Sequence, residues 1–309
     1  RELGDTNPEG ARLAANETFT AATLEAARDY SLAQDLASSG RNEEAILHYE
    51  QALRHDPYLG RAYAGWAVSA LRMGKRDEAE ILYKKALALI DRMTEREKYR
   101  TLGGYYGTIA RNYDKAIENY KELVERYPAD GAGLNSLGVA YFSSLDIQKA
   151  IEQGRRAVEV YPKNALYRTN LALYAMYAGD FAMAAAEANK AIEISPTAHK
   201  AYLPLAMAAL AASKPDDARQ AYERMAKASA LGSSLASMGL ADLAMHEGRF
   251  ADAESILSAG IAADAAAKNV SGQAAKQVAL AEVHERSGKP AAGAARAALA
   301  LVKADAVVV

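Results

Sequence analysis

The chain has 309 residues, of which half are hydrophobic and a quarter charged, with a formal net charge of -2. That composition folds in water, unlike the hydrophobe-poor, strongly charged composition of disordered chains, and its near neutrality excludes the basic field that holds DNA, RNA or an anionic membrane surface. There is no cysteine, which excludes disulfides, thiolate zinc sites and cysteine nucleophiles and leaves the compartment, cytoplasmic or periplasmic, open.

In chain order, residues 1–25 come first, and "GARLAANETFTAATLEAARDY" within and beyond them is helix-prone. The segment reads as an N-terminal helical cap or a linker. The chain opens at Arg1 without a hydrophobic signal core and is expected to be part of a longer polypeptide. From residue 26 onward one template recurs: "RNEEAILHYEQALRHDP" (41–57), "NYDKAIENYKELVERYP" (112–128), "LDIQKAIEQGRRAVEVYP" (145–162) and "GDFAMAAAEANKAIEISP" (179–196). Ala45 and Ala79 are 34 residues apart, and Ala116, Ala150, Ala184 and Ala218 then follow at steps of 34, as do Pro128, Pro162 and Pro196. A small residue in mid-helix lets two helices approach closely, and a proline ends the second of them. Helix pairs are therefore expected at 26–59, 60–93, 97–130, 131–164, 165–198, 199–232, 234–267 and 274–307. The last is weak, because Gly293 holds its small site and no proline closes it.

Two seams break the period. Ala79 to Ala116 is 37 residues, and the surplus falls in "DRMTEREKYR" (91–100), where Thr94 followed by Glu97 is a candidate capping box that starts the next helix early. The second seam is "AAKNVSGQAAK" (266–276). The longest apolar run, Leu203 to Ala212, is half of the ~20 residues needed to cross a bilayer, so no membrane insertion is expected.

The 34-residue period, with small residues at 33, 45 and 52, Tyr49 and Pro57 in the first pair and Leu137, Gly138, Ala150, Ala157 and Pro162 in the fourth, resembles the tetratricopeptide repeat. Gly154 stands where that pattern has an aromatic. The resemblance covers nearly the whole chain. It implies an all-α fold, an α-solenoid coiled as a right-handed superhelix of about eight antiparallel helix pairs, each burying its apolar face only against neighbours. The order "LEAARDYSLA", "ALALIDRMTEREKYR", "DKAIENYKELVERYPADGAGLNSLGVAYF" and "LADLAMHEGRFADAESIL" further resembles the C-terminal repeat region of bacterial multidomain serine/threonine kinases and related signalling proteins. That likeness implies a sensor or adaptor part, since no glycine-rich loop with a catalytic lysine, no HRD and no DFG occurs here.

Catalytic and metal-binding patterns are missing from the sequence. The histidines, His48, His55, His199, His246 and His284, form no HExxH, and "HEGR" and "HERSG" place two of them at helix C-terminal ends, where they suit the helix dipole. The acidic residues of "NEEA", "RDEAE" and "FADAE" fall at second-helix starts, where the dipole favours them. No enzyme activity, metal or cofactor is expected.

What remains is a surface. In the resembled family, positions 2, 5, 9 and 12 of each first helix line a concave groove, and that spacing shares one helical face. Mapped here they are Tyr30 and Gln34; Arg61 and Leu71; Lys98 and Tyr105; Asn135 and Phe142; Thr169, Leu173 and Met176; Lys200, Met207 and Leu210; Met238, Asp242 and Met245; and Glu282 and Glu285. The residues expected to carry binding are Tyr105, Asn135, Phe142, Asn170, Leu173, Met176, Lys200 and Met207. The strip is aromatic and aliphatic in the middle, basic toward the start and acidic toward the end, and an apolar strip with such a charge gradient suits a peptide or partner helix. Capture of a chaperone-type C-terminal carboxylate is disfavoured: Asn170 and Lys200 match it, but Asn135 and Val139 stand where Lys and Asn are needed and Pro204 replaces Arg. The expected function is a non-catalytic protein-interaction scaffold or sensor. The alternatives are the regulatory region of a fused signalling kinase and an envelope or secretion assembly factor; homo-oligomerisation is left open.

One stretch, "TLGGYYG" (101–107), looks like a phosphate loop. No strand precedes it, and the repeat register puts it inside the first helix of unit 97–130, with Tyr105 on the groove. Three interior glycines cost about 2–3 kcal/mol relative to alanine. Either close helix contacts offset that, or this helix is a soft point beside the insertion.

Overall fold

The structure is a computed structural model that describes residues 20–304, with side chains to residue 301. Most of the expected N-terminal cap or linker, and the segment beyond residue 304, lie outside the described residues. The chain divides after Pro162 into two compact units. The described part of the first holds α1 (Leu24–Ser38), α2 (Asn42–His55), α3 (Gly60–Arg72), α4 (Arg76–Ala88), α5 (Glu95–Thr108), α6 (Tyr113–Arg126), α7 (Gly131–Ser143) and α8 (Ile147–Val160). The second holds α9 (Ala165–Tyr177), α10 (Phe181–Ile194), α11 (Tyr202–Ala211), α12 (Pro215–Ala228), α13 (Ala230–His246), α14 (Phe250–Ala266), α15 (Val270–Arg286) and α16 (Ala292–Ala304). Each odd-numbered helix packs on the even one that follows it. The described residues are thus all-helical, in the eight consecutive pairs that the repeat predicts.

The periodic alanines are the contact points. Ala45, Ala79, Ala116, Ala150, Ala184 and Ala218 all have 0% exposure, because a methyl group is all that fits where the two helices of a pair cross. Helix starts carry side-chain caps: Thr23, Asn112, Asp146 and Asp180 each accept a hydrogen bond from a backbone N–H in the first turn. Between the helices of a pair the chain reverses through one left-handed residue. This is Gly40, Gly74, Gly179, Gly248 or Gly288 in five pairs, but Arg111 (φ 50°), Leu145 (φ 65°) and Ser213 (φ 58°) in the other three.

The capping box of the first seam is present. Thr94 N donates to Glu97 Oε2 at 2.8 Å, and Glu97 N donates to Thr94 Oγ1 at 3.3 Å. The extra residues form a 3-10 turn, Ile90–Arg92, ahead of an α5 that starts at Glu95. Thr20 also reaches this point, its hydroxyl donating to Glu97 Oε2 at 3.0 Å, while Ala22 N donates to Asp56 Oδ2 at 2.8 Å.

Helix α5 contains the whole of TLGGYYG. A Cβ on Gly103 would fall 2.6 Å from the Tyr120 ring, and one on Gly104 2.6 Å from the Tyr83 hydroxyl, so these two glycines admit tyrosines from α6 and α4. Gly107 differs: its nearest neighbour is the Ala116 Cβ at 3.5 Å, an ordinary contact. The irregularity of α5 sits at its exit, where Asn112 N bonds Tyr106 O, a longer closure than the Lys75 N to Ala70 O bond that ends α3. Gly107→Ala is therefore expected to stabilise the protein by up to about 1 kcal/mol, and Gly104→Ala to destabilise it by about 1–3 kcal/mol through overpacking. Thermal melting followed by circular dichroism reads both, and a lower Tm for Gly107→Ala would overturn the assignment.

The second seam has a different cause. Helices α13, α14 and α15 each run 17 residues, against 14 for α10 and α12. Their added turns enclose a polar cluster: Lys276 Nζ donates to Ser234 Oγ at 2.8 Å and to Asp264 Oδ2, and Asn269 Nδ2 donates to Asp264 Oδ1 at 2.9 Å. Lys276 is 1% exposed. His246 and His284 lie in the last turns of α13 and α15, as their sequence context predicts.

Candidate interaction surface

First helices touch within each unit, as α3 does α5 and α5 does α7, or α9 does α11 and α13 does α15, while the 3-10 turn His199–Ala201 contacts both α11 and α13. They form one layer, and their side chains at positions 9 and 12 come to its surface.

In the first unit Tyr105 is half-buried, its ring set edge-on to Tyr83 (centroids 6.1 Å apart) and to Tyr106 (5.4 Å). Asn135 and Phe142 are half-buried on α7, and Val139, one turn from each, is 42% exposed. In the second unit Asn170, Leu173 and Met176 are half-buried on α9 and Met207 on α11. Lys200 is exposed but precedes α11, in the 3-10 turn His199–Ala201, since Pro204 occupies the first turn of a helix that begins at Tyr202.

Three mapped positions do not line the surface. Tyr30 is 1% exposed and packs on Tyr49, Thr169 is 4% exposed and donates back to Ala165 O at 2.7 Å, and Arg61 is buried with Nη1 donating to Thr101 Oγ1 of α5 at 3.2 Å. Their burial is local to these three helices, since Asn135 and Met238 at position 5 and Lys98 at position 2 stay half-buried. Gln34, mapped to position 9, donates to the Tyr49 hydroxyl at 2.8 Å. Conversely, Leu235 on α13, Val278 on α15 and Val139 on α7 are exposed on the same register and add to the residues mapped from the sequence. The position rule itself would have found them.

The far end of the second unit is acidic. Met238 and Met245 flank Asp242 one turn away on either side, and Glu282 on α15 lies close enough to raise the Asp242 pKa in addition to the larger effect of partial desolvation. Glu285 follows one turn on. Among the described residues no group of three His, Cys, Asp or Glu side chains has a metal-holding arrangement, and no helix is long and apolar enough to cross a membrane.

The family model described as Tetratricopeptide repeat matches residues 30–92, 110–165, 144–199, 169–233 and 203–268. The chain belongs to the tetratricopeptide repeat family. Comparison with curated proteins finds no match. Among solved structures, PilW, described as a widely conserved type IV pilus biogenesis factor, aligns at 16% identity over 66% of this chain and 93% of that one, with a TM-score of 0.50. A chain of the APC/C hetero-tetramer Cut9-Hcn1 aligns at 21% identity over 76% of this chain and 46% of its own, TM-score 0.54. Human IFIT1, solved as a dimer with m7Gppp-AAAA, aligns at 18% identity over 84% of this chain and 57% of its own, TM-score 0.56. At these identities the likeness is one of fold.

Proposed function

We propose that the protein is a non-catalytic interaction module that docks a peptide or partner helix on the first-helix face of its repeats. One observation carries this reading: apolar side chains at positions 9 and 12 of successive first helices, Tyr105 and Phe142 in one unit and Leu173, Met176 and Met207 in the other, stay half-exposed at regular helical spacing. A row of anchors on neighbouring parallel elements is what groove recognition uses. Asn135 and Asn170, also half-buried on that face, add polar groups to it. Lys200, exposed in the 3-10 turn before α11, adds a cation to the second unit.

The test is capture of partners by the recombinant chain, identified by mass spectrometry. Phe142→Glu and Leu173→Glu, each placing a charge on an apolar anchor, are expected to abolish capture while far-UV circular dichroism stays helical. Capture unchanged in both variants would sink the reading. A second reading, the regulatory region of a larger signalling enzyme, is supported by the "TEREKYR" seam and its likeness to kinase-associated repeat regions. An in-frame catalytic domain upstream of Arg1 in the gene would decide for it. An envelope assembly role draws support from the shared fold with the pilus biogenesis factor; a signal peptide upstream of Arg1 would favour it.

A further inference from the structure

We infer that the partner segment seated on the second unit is basic and amphipathic, with aliphatic side chains on a methionine-rich strip and Lys or Arg side chains against Asp242, Glu282 and Glu285. This rests on the reading of the first-helix face as a docking surface and adds the chemistry of what docks there.

The protein has 8 methionines, and Met176, Met207, Met238 and Met245, half of them, fall on the first-helix face of α9, α11 and α13, all half-buried. Methionine is unbranched and polarisable, and surfaces built from it adapt to apolar partners of varied shape. Leu173, Leu235 and Val278 extend the strip. The apolar anchors therefore specify an aliphatic partner without fixing its sequence.

The carboxylates add direction. Several acidic side chains of this unit are matched within the fold: Glu187 by Arg168 and Lys190, Glu247 by Arg219 and Arg249, Asp252 by Arg249, and Glu254 by Lys289, while Glu193, Asp216 and Glu223 stand exposed on second helices. On the docking face three carboxylates stand beside the apolar strip, on the helices that carry Met238, Met245 and Val278. Asp242 and Glu285 form no ion pair among the described residues, and Glu282 pairs only with Arg286 of its own helix, through side chains that are half-exposed. Asp242 and Glu282 come from adjacent helices and repel each other. Like charges kept together on an apolar face are destabilising until a cation from outside lies between them. Lys or Arg next to aliphatic side chains on one helix surface supplies that cation and fills the methionine strip together.

The experiment uses the full chain with two fluorescein-labelled 18-residue amphipathic peptides, one built of Leu and Lys and the other with every Lys replaced by Glu. Fluorescence anisotropy at 50 mM and 500 mM NaCl reads binding. The Leu/Lys peptide is expected to bind, with affinity falling by at least about tenfold at high salt and by a similar factor in the triple variant Asp242→Asn, Glu282→Gln, Glu285→Gln. A charge-matched control, Glu193→Gln, Asp216→Asn and Glu223→Gln on the second helices, should bind as the parent does. Charge reversal, Asp242→Lys with Glu282→Lys, should transfer preference to the Leu/Glu peptide. Equal binding of both peptides by the parent chain, with loss in Leu173→Glu, would overturn the charge inference and keep the docking face. Equal weakening by the control triple would reduce the effect to net charge and also overturn it. Binding of neither peptide overturns it as well, and the effect of Leu173→Glu on partner capture then judges the docking face by itself.

Discussion

Asp130→Ala is expected to destabilise the protein by about 3–5 kcal/mol, the cost of leaving buried charges without their partner. The Asp130 side chain is fully inaccessible, and it accepts from Arg96 Nε at 2.8 Å, Arg100 Nη2 at 2.7 Å and Gly133 N at 2.8 Å. One carboxylate thus fixes two arginines of α5, whose side chains are 7% and 14% exposed, and caps the start of α7. Asp130→Asn keeps the cap, worth about 1 kcal/mol, and should therefore lose less than alanine does. The effect carries a pH signature. Burial pushes the Asp130 carboxyl up, but the charge and hydrogen bond of Arg100, then Arg96 and the Gly133 N–H, outweigh it and hold the pKa below the ordinary aspartate value. A depressed folded-state pKa contributes stability that is present above the unfolded value of about 3.9 and is lost as pH falls through the folded one. Urea denaturation should therefore show parent and Asp130→Ala well separated at pH 7 and converging below about pH 4. A gap that widened in acid would contradict the ion cluster as its source.

How much of this was legible beforehand depends on what each feature rests on. The alanines at steps of 34 mark helix crossings because a crossing restricts residue size, and size is written in the sequence. The box of Thr94 and Glu97 was legible for a similar reason, since both of its hydrogen bonds are local. Positions 9 and 12 reach the surface as the register predicts, whereas Tyr30, Arg61 and Thr169 do not. Their burial comes from packing by other helices, which a single-helix face cannot show. Gly103 and Gly104 looked like a weakness until Tyr120 and Tyr83, 17 and 21 residues away in sequence, were found to occupy the space. The left-handed turns at Arg111, Leu145 and Ser213 carry no glycine to announce them. The acidic end of the second unit was visible as residue types, but the approach of Glu282 on α15 to Asp242 on α13 is a property of three-dimensional neighbours.

The second large effect is expected at Lys276. No local pattern marks it, because its partners are Ser234 on α13 and Asp264 on α14, both of which Asn269 at the cap of α15 also bonds. Both charged side chains are nearly dry, at 1% and 5% exposure. Lys276→Met leaves Asp264 buried and unpaired, and Asp264→Leu leaves Lys276 so; each is expected to cost about 3–5 kcal/mol. The double variant should cost far less than the two singles together, because an apolar pair of similar volume can replace a buried ion pair at little loss. Space is already shaped for the lysine: a Cβ on Gly260 would fall 2.7 Å from Lys276 Cε, and one on Gly272 2.6 Å from Asp264 Oδ2. The cluster sits in the added turns of α13, α14 and α15, so a role in aligning those turns is separable from a role in stability. If it aligns them, the double variant will melt near the parent temperature while amide exchange in the turns around Ser234, Asp264 and Asn269 becomes faster. Parent-like exchange in the double variant would reduce the cluster to a stability element, and a parent-like Tm in Lys276→Met would remove even that.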